Sequence, residues 1–365
     1  MPSQANQANR TPAPDLADQL VDDLIRACPA HRLGTRPIHA PGIAATGWFS
    51  PSPVASSFTT AEHFAGGRVP VTVRFSNGTG DADEPDSTPA VRGMAVKFHV
   101  GPTTRDEWGV LHSEVETDLV AMTLPMFFVK DVERFRKFVV AATPVLPKAR
   151  SPFKKLIEAL RLDTPYPTPP LGTPSSEPGI FEFAAHYPPA CPAVAYLGGK
   201  FVPESYTTCS YHAVHAFALT APDASTRLAR FHWEPVDGVQ SAPPGAEGNF
   251  LRGGLKDRIT NGHAEFVLRI QLAEQGDDPA DSTRPWPVQR PRVVMGQLRL
   301  TDVPEDQFHG CELLSFNPTR LVPGIGLSSD PLLAARGEVY DRSSARRLQA
   351  TEAATHTDPV EPYPS

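Results

Sequence analysis

Forty-one of the 365 residues are proline, spread along most of the chain, which is about twice a typical share of roughly 5%. A proline inside a helix removes a hydrogen bond and costs about 3 kcal/mol, which argues against a mostly helical bundle. Glycine and proline together number 67, under a fifth of the chain, below the roughly 25–30% that marks disorder. A chain of this length holds a large core, as two ordinary domains or as one large β-rich or mixed domain.

Lysine and arginine number 34 against 41 aspartates and glutamates, a net charge of −7. That balance argues against a nucleic-acid or membrane-surface partner, both of which need a basic face. Residues 1–14 are polar, and no window approaches the roughly 18 apolar residues of a membrane span. A cytoplasmic address is therefore expected. Cys28, Cys191, Cys209 and Cys311 lie far apart without paired spacing, and are predicted to be buried thiols rather than a disulfide frame or a zinc site.

Residues 1–30 read as a loose arm followed by an amphipathic helix, with Leu16, Leu20, Val21, Leu24 and Ile25 at helical spacing. Alternating runs predict strands at 69–76, 93–100, 117–121, 212–220, 227–233, 264–273 and 292–301. Residues 131–161 predict a helix broken near Pro144 and Pro147. Between 163 and 192 proline is so dense that no regular element is expected, only a wrapping loop or a linker. If it were a domain boundary, each half would keep three or four strands and bare edges. One nearly closed antiparallel barrel is more economical, in a single domain over 31–348 with a tail at 349–365.

The most informative stretch runs from Ser329 to Leu348. Asp330 before Pro331 is a strong helix start. At about 100° per residue, Leu332, Leu333, Val339, Tyr340, Ser343 and Arg347 fall near Arg336, so the apolar face carries two arginines and a tyrosine. Buried guanidinium groups need a bonded anion; the alternative is that they snorkel to solvent near the helix end. Arg74, in mid-strand, poses the same problem. His39, in an apolar glycine-flanked stretch, suits a ligand, an acid–base group or a satisfied core residue.

These residues resemble the haem-catalase family over roughly 36–348. Arg36-Pro-Ile-His39 resembles its distal-histidine motif. Val73-Arg-Phe-Ser76 with Arg92-Gly-Met-Ala-Val-Lys-Phe98 resembles its second signature. Asp118 to Phe128 is similar to the distal-pocket segment, Phe316 to Ile325 to the approach to the proximal helix, and Asp330-x5-Arg336-x3-Tyr340 to the proximal signature. The resemblance implies an α+β fold, a catalase-like antiparallel β-barrel of about eight strands with flanking helices and a long wrapping loop. It implies haem b held by tyrosinate, with Tyr340 as the iron ligand and Arg336 as the cation beside it. His215 and Asp330 would extend a hydrogen-bond chain behind Arg336. Arg36, Arg74 and Arg347 would meet the propionates. His39, oriented by Ser76, would move the peroxide proton.

Two positions depart from the family's pattern. Alignment on Asp118 and Pro125 puts Thr123 where the family has its distal asparagine, and Ala90 where it has a channel carboxylate. Threonine offers one hydrogen bond and cannot hold peroxide as an amide does, so the short catalase-related peroxidases are the subgroup this chain resembles. The expected activity is reduction of hydrogen or organic peroxides with a small organic electron donor and weak dismutation. NADPH is not expected, and a homo-oligomer is compatible. The alternatives are an efficient catalase, a fatty-hydroperoxide dehydratase of the allene oxide synthase type, and a non-catalytic barrel for haem or an apolar ligand.

Overall fold

In the computed structural model, residues 15–142, 179–197 and 201–355 are described. One antiparallel sheet holds strands β1 (Gly42–Pro51), β2 (Val69–Asn77), β3 (Arg92–Arg105), β4 (Leu111–Met122), β5 (Tyr211–His212), β6 (Phe217–Thr220), β7 (Thr226–Pro235), β8 (Glu265–Leu272), β9 (Arg292–Asp302) and β10 (Ile325–Leu327). Neighbours run β7-β5-β4-β3-β2-β1-β9-β8, and β8 pairs back onto β7, so eight strands close into a ring while β6 and β10 extend from β7. Closure removes the bare edges that a split sheet would expose.

The strand alternation decides what fills the ring. Phe49, Val71, Val73, Phe75, Val96, Phe98, Phe231, Trp233, Phe266 and Leu268 are buried in one cluster. Phe49 meets Phe98 edge-on, with ring centroids 5.2 Å apart. Full burial stabilises each such side chain by about 1.5–3 kcal/mol. This interior is packed with side chains, so a ligand site has to lie outside the barrel, between sheet and helices.

Among the described residues six helices supply that outer layer: α1 (Leu16–Ala27), α2 (Val132–Ala142), α3 (Ile180–His186), α4 (Cys191–Leu197), α5 (Leu251–Thr260) and α6 (Pro331–Thr355). Phe128 stacks on Phe138 at 4.3 Å, and both join Val194 and Leu332 in a second buried cluster beneath α2, α3, α4 and the start of α6. No helix among the described residues is long and apolar enough to cross a membrane.

Several expectations are revised. Residues 42–51, where no strand is expected, form β1, which pairs with β2 on one side and β9 on the other. The run at 212–220 is two short strands, because residues 213–216 bulge out opposite Arg230 and Phe231 of β7 before pairing with it resumes at Phe217. Within the proline-dense segment, 180–186 and 191–192 are helical; Pro192 sits in the first turn of α4, where its missing N–H costs nothing. Residues 143–178 lie outside the described ones. Helix α6 runs past Leu348 to Thr355, so no tail begins at 349. The amphipathic helix expected after the N-terminal arm is α1, and it is tied to α6: Arg346 bonds Asp18 and Asp22 at 2.8 and 2.6 Å. The four cysteines are free thiols, with Cys28 only half-buried.

Candidate active site

Three strands build one wall of a cavity. Ser76, Gly93 and Met122 are paired in register across β2, β3 and β4, so they share the face that points away from the barrel core. A Cβ on Gly93 would lie 2.6 Å from Ser76 Oγ and 2.9 Å from His39 Nδ1. Only glycine leaves that space to the imidazole. His39 Nδ1 contacts Ser76 Oγ at 3.0 Å, which leaves Nε2 as the nitrogen able to take a proton when Nδ1–H donates to Ser76.

His39 has φ 59°, left-handed backbone that costs a non-glycine residue of order 1–3 kcal/mol. Arg74 holds it there. Its guanidinium donates to the carbonyls of His39 and Ala40, each at 3.0 Å. Burial, followed by the charges of Arg74, Arg336 and Arg36, lowers the His39 pKa to about 3. The ring is therefore neutral at ordinary pH and able to accept a proton.

The facing wall is α6. Asp330 caps it, accepting from Leu332 N at 2.8 Å, and also contacts His215 Nδ1 at 2.7 Å. Arg336 donates to the Tyr340 hydroxyl one turn along. The helix is seated by the segment before it. Asn317 Nδ2 donates to Gly337 O and Asp341 Oδ1, while Asp118 accepts from Asn317 N at 2.8 Å. A Cβ on Gly337 would lie 2.7 Å from Thr319 Oγ1, so glycine permits this close approach. Buried Asp118 is paired in turn with Lys97 at 3.0 Å and Arg320 at 2.8 Å.

Between the walls lies about 1400 Å³ of empty space, counting its open mouth, lined by His39, Ser76, Gly93, Met122, Arg336 and Tyr340. Leu20 and Leu24 of α1, with Phe127, Val132 and Phe135 at α2, complete an apolar rim. At one end Arg36, Arg74 and Arg347 line the same space. Glu312 pairs with Arg36 at 2.8 Å and Arg74 at 3.2 Å, and its pKa is lowered to about 2: the two guanidinium charges outweigh its burial.

Arg347 is 6% exposed. It has only long contacts, 3.3 Å to Ser343 Oγ and 3.4 Å to Leu314 O. Its Nε has no partner, and among the described residues no carboxylate forms an ion pair with it. Burial, then the charges of Arg36 and Arg74, lowers its pKa to about 9. Three guanidinium groups thus face one carboxylate.

The structure corrects three sequence expectations here. Thr123 does not line the cavity: its Oγ1 accepts from Arg92 N at 3.1 Å. The side chain that β4 presents beside His39 is Met122, because a shift of one residue along a strand exchanges faces. The expectation that Arg36 and Arg74 wait for an outside anion is also revised. Glu312 already meets them, although its only signal in sequence is a lone carboxylate between Cys311 and Leu313. His215 and Asp330 meet, but His215 Nε2 is buried without a partner, so the chain behind Arg336 is not continuous.

The site is a closed antiparallel barrel with an arginine-rich cavity outside it, where a tyrosine–arginine helix faces a histidine–serine pair. The family profile described as Catalase matches residues 2–355. The chain is 31% identical over 335 residues to a catalase-related peroxidase of Mycolicibacterium paratuberculosis, covering 89% of this chain and 93% of that protein. It is 28% identical to a catalase-related peroxidase of Synechococcus elongatus, at 87% and 84% coverage. It is also 28% identical to catalase-2 of Bacillus subtilis, of which it spans 44%. A fungal catalase crystal structure superposes with a TM-score of 0.68 at 22% identity, over 95% of this chain and 66% of that one. The chain belongs to the catalase family. It is an oxidoreductase that acts on peroxide.

Proposed function

We propose that the chain is a haem-dependent peroxidase that reduces hydrogen peroxide at the expense of a small organic donor, with weak dismutation. The observation that carries this reading is the arginine corner. Arg36, Arg74 and Arg347 against Glu312 leave two buried positive charges, and leaving such charges unpaired costs several kcal/mol. A group carrying two carboxylates and a flat apolar body fits that corner and the apolar rim. Haem b is such a group; when bound it would supply a redox-active iron.

Tyr340 would be the protein's iron ligand, with Arg336 donating a hydrogen bond to its oxygen. Arg347, with an unpartnered Nε, would meet the propionates, at the end of the cavity where Arg36 and Arg74 already pair with Glu312. On the sheet wall His39 Nε2 would take a proton from peroxide and hold it for the outer oxygen, while the bound haem would supply the electrons that O–O cleavage needs. Ser76 holds the ring for both transfers.

The emphasis on a donor rests on Met122. A thioether is at best a weak acceptor and donates nothing, so a second peroxide is held by His39 alone and its oxidation is slow. The test compares oxygen release from hydrogen peroxide with oxidation of a phenolic donor. Donor oxidation should dominate, and Met122→Asn should raise oxygen release. Fast oxygen release by the native chain, with negligible donor oxidation, overturns the peroxidase reading.

A further inference from the structure

Met122 sits where peroxide has to arrive. It is paired in register with Gly93, whose outer face is the seat of His39, and it lines the cavity. It is also partly exposed, whereas Met94, Met126 and Met295 are buried at 1%, 7% and 0%. Among the described methionines, only this one combines an accessible thioether with a place beside the proton-transferring histidine. On its other side β4 pairs Met122 with His212 of β5, so the strand cannot carry the side chain away from the cavity without breaking the ring.

We propose that Met122 is a built-in oxidation site, converted to methionine sulfoxide by peroxide held in the cavity. The step balances without a further reactant. The sulfur lone pair attacks one peroxide oxygen, an S–O bond forms and the O–O bond breaks. The proton on the transferred oxygen passes, by way of His39 Nε2, to the departing oxygen, which leaves as water. Sulfur loses two electrons and peroxide gains them. The product places a polar, chiral oxygen in a wall that was apolar, so each modified molecule carries a changed cavity beside His39. The inference rests on reading this cavity as the peroxide site.

The experiment treats the haem-loaded protein with a few equivalents of hydrogen peroxide, digests it and fragments the methionine peptides in a mass spectrometer, because Met122 and Met126 are only four residues apart. Fragment ions should place the added oxygen on Met122 and none on Met94, Met126 or Met295. His39→Gln should reduce that gain severalfold, a result that general solvent oxidation does not produce. Two outcomes overturn the proposal: Met122 unmodified, or oxidation spread evenly over the buried methionines. The haem reading fails separately, on the absence of a Soret band in the purified protein. A band that peroxide perturbs while Met122 stays unmodified sinks the oxidation site alone.

Discussion

At the scale of single residues, the site depends on groups that compensate one another in a small buried volume. Arg74 has two tasks: it pairs with Glu312 and it clamps the strained turn at His39. Replacing it by methionine leaves two carbonyls without donors and weakens the anchoring of Glu312. Loss of one partner from a buried pair costs about 3–5 kcal/mol, so Arg74→Met should lower the denaturant midpoint and impair the peroxide reaction together. Arg74→Lys should not restore either, because an ammonium cannot reproduce the fork that reaches both carbonyls. His39→Ala removes the proton carrier and should slow the reaction with peroxide by about 10²–10⁴-fold, with Ser76→Ala less severe. Stopped-flow mixing with peroxide measures both; equal rates for native protein and His39→Ala would remove histidine from the account.

At the scale of elements, α6 and the segment before it form one unit. Gly337 lies between Arg336 and Tyr340 in the chain and against Thr319 in space. A methyl group there forces the 317–319 turn or the helix to shift, and such overpacking costs about 1–3 kcal/mol. Gly337→Ala should therefore lower stability and haem retention together, which urea titration and the absorbance of the purified variant measure. Much of this unit was legible in the sequence. Helical periodicity alone put Arg336, Tyr340 and Arg347 on one face, and alternation located most of the strands. What escaped is physical in origin. Strand β1 was hidden by flanking glycine and proline. Helices α3 and α4 were hidden by prolines that are tolerated at helix starts. Met122 was confused with Thr123 because in a strand one step exchanges faces. Glu312 approaches Arg36 across 276 positions, a contact that no local pattern announces.

At the scale of the molecule, an acidic chain encloses a set of histidines held neutral. Burial lowers His63 and His232 to about 3 and His99 to about 4, against roughly 6.5 in an unfolded chain. Between those values the unfolded state binds more protons. Stability is therefore complete above about pH 6.5 and is lost as pH falls toward 4, by up to about 1.4 kcal/mol per group per pH unit. Glu312, lowered to about 2, adds a later loss between about pH 4.5 and 2. The melting temperature should stay level from pH 8 to 6.5 and drop below pH 6. His63 has both ring nitrogens unpartnered between Phe64 and Phe98, so His63→Leu should raise stability by about 1–3 kcal/mol and soften the acid loss. A melting temperature constant down to pH 4.5 would contradict this balance.

The central claim is that the cavity between sheet and α6 holds a haem on Tyr340, with the arginine corner as its anchor. The absorption spectrum of the purified protein, beside that of Tyr340→Phe, tests it most directly. The account predicts a Soret band in the native protein and loss of tightly bound haem in the variant. A native protein without that band, or a variant that keeps full haem content, would contradict it.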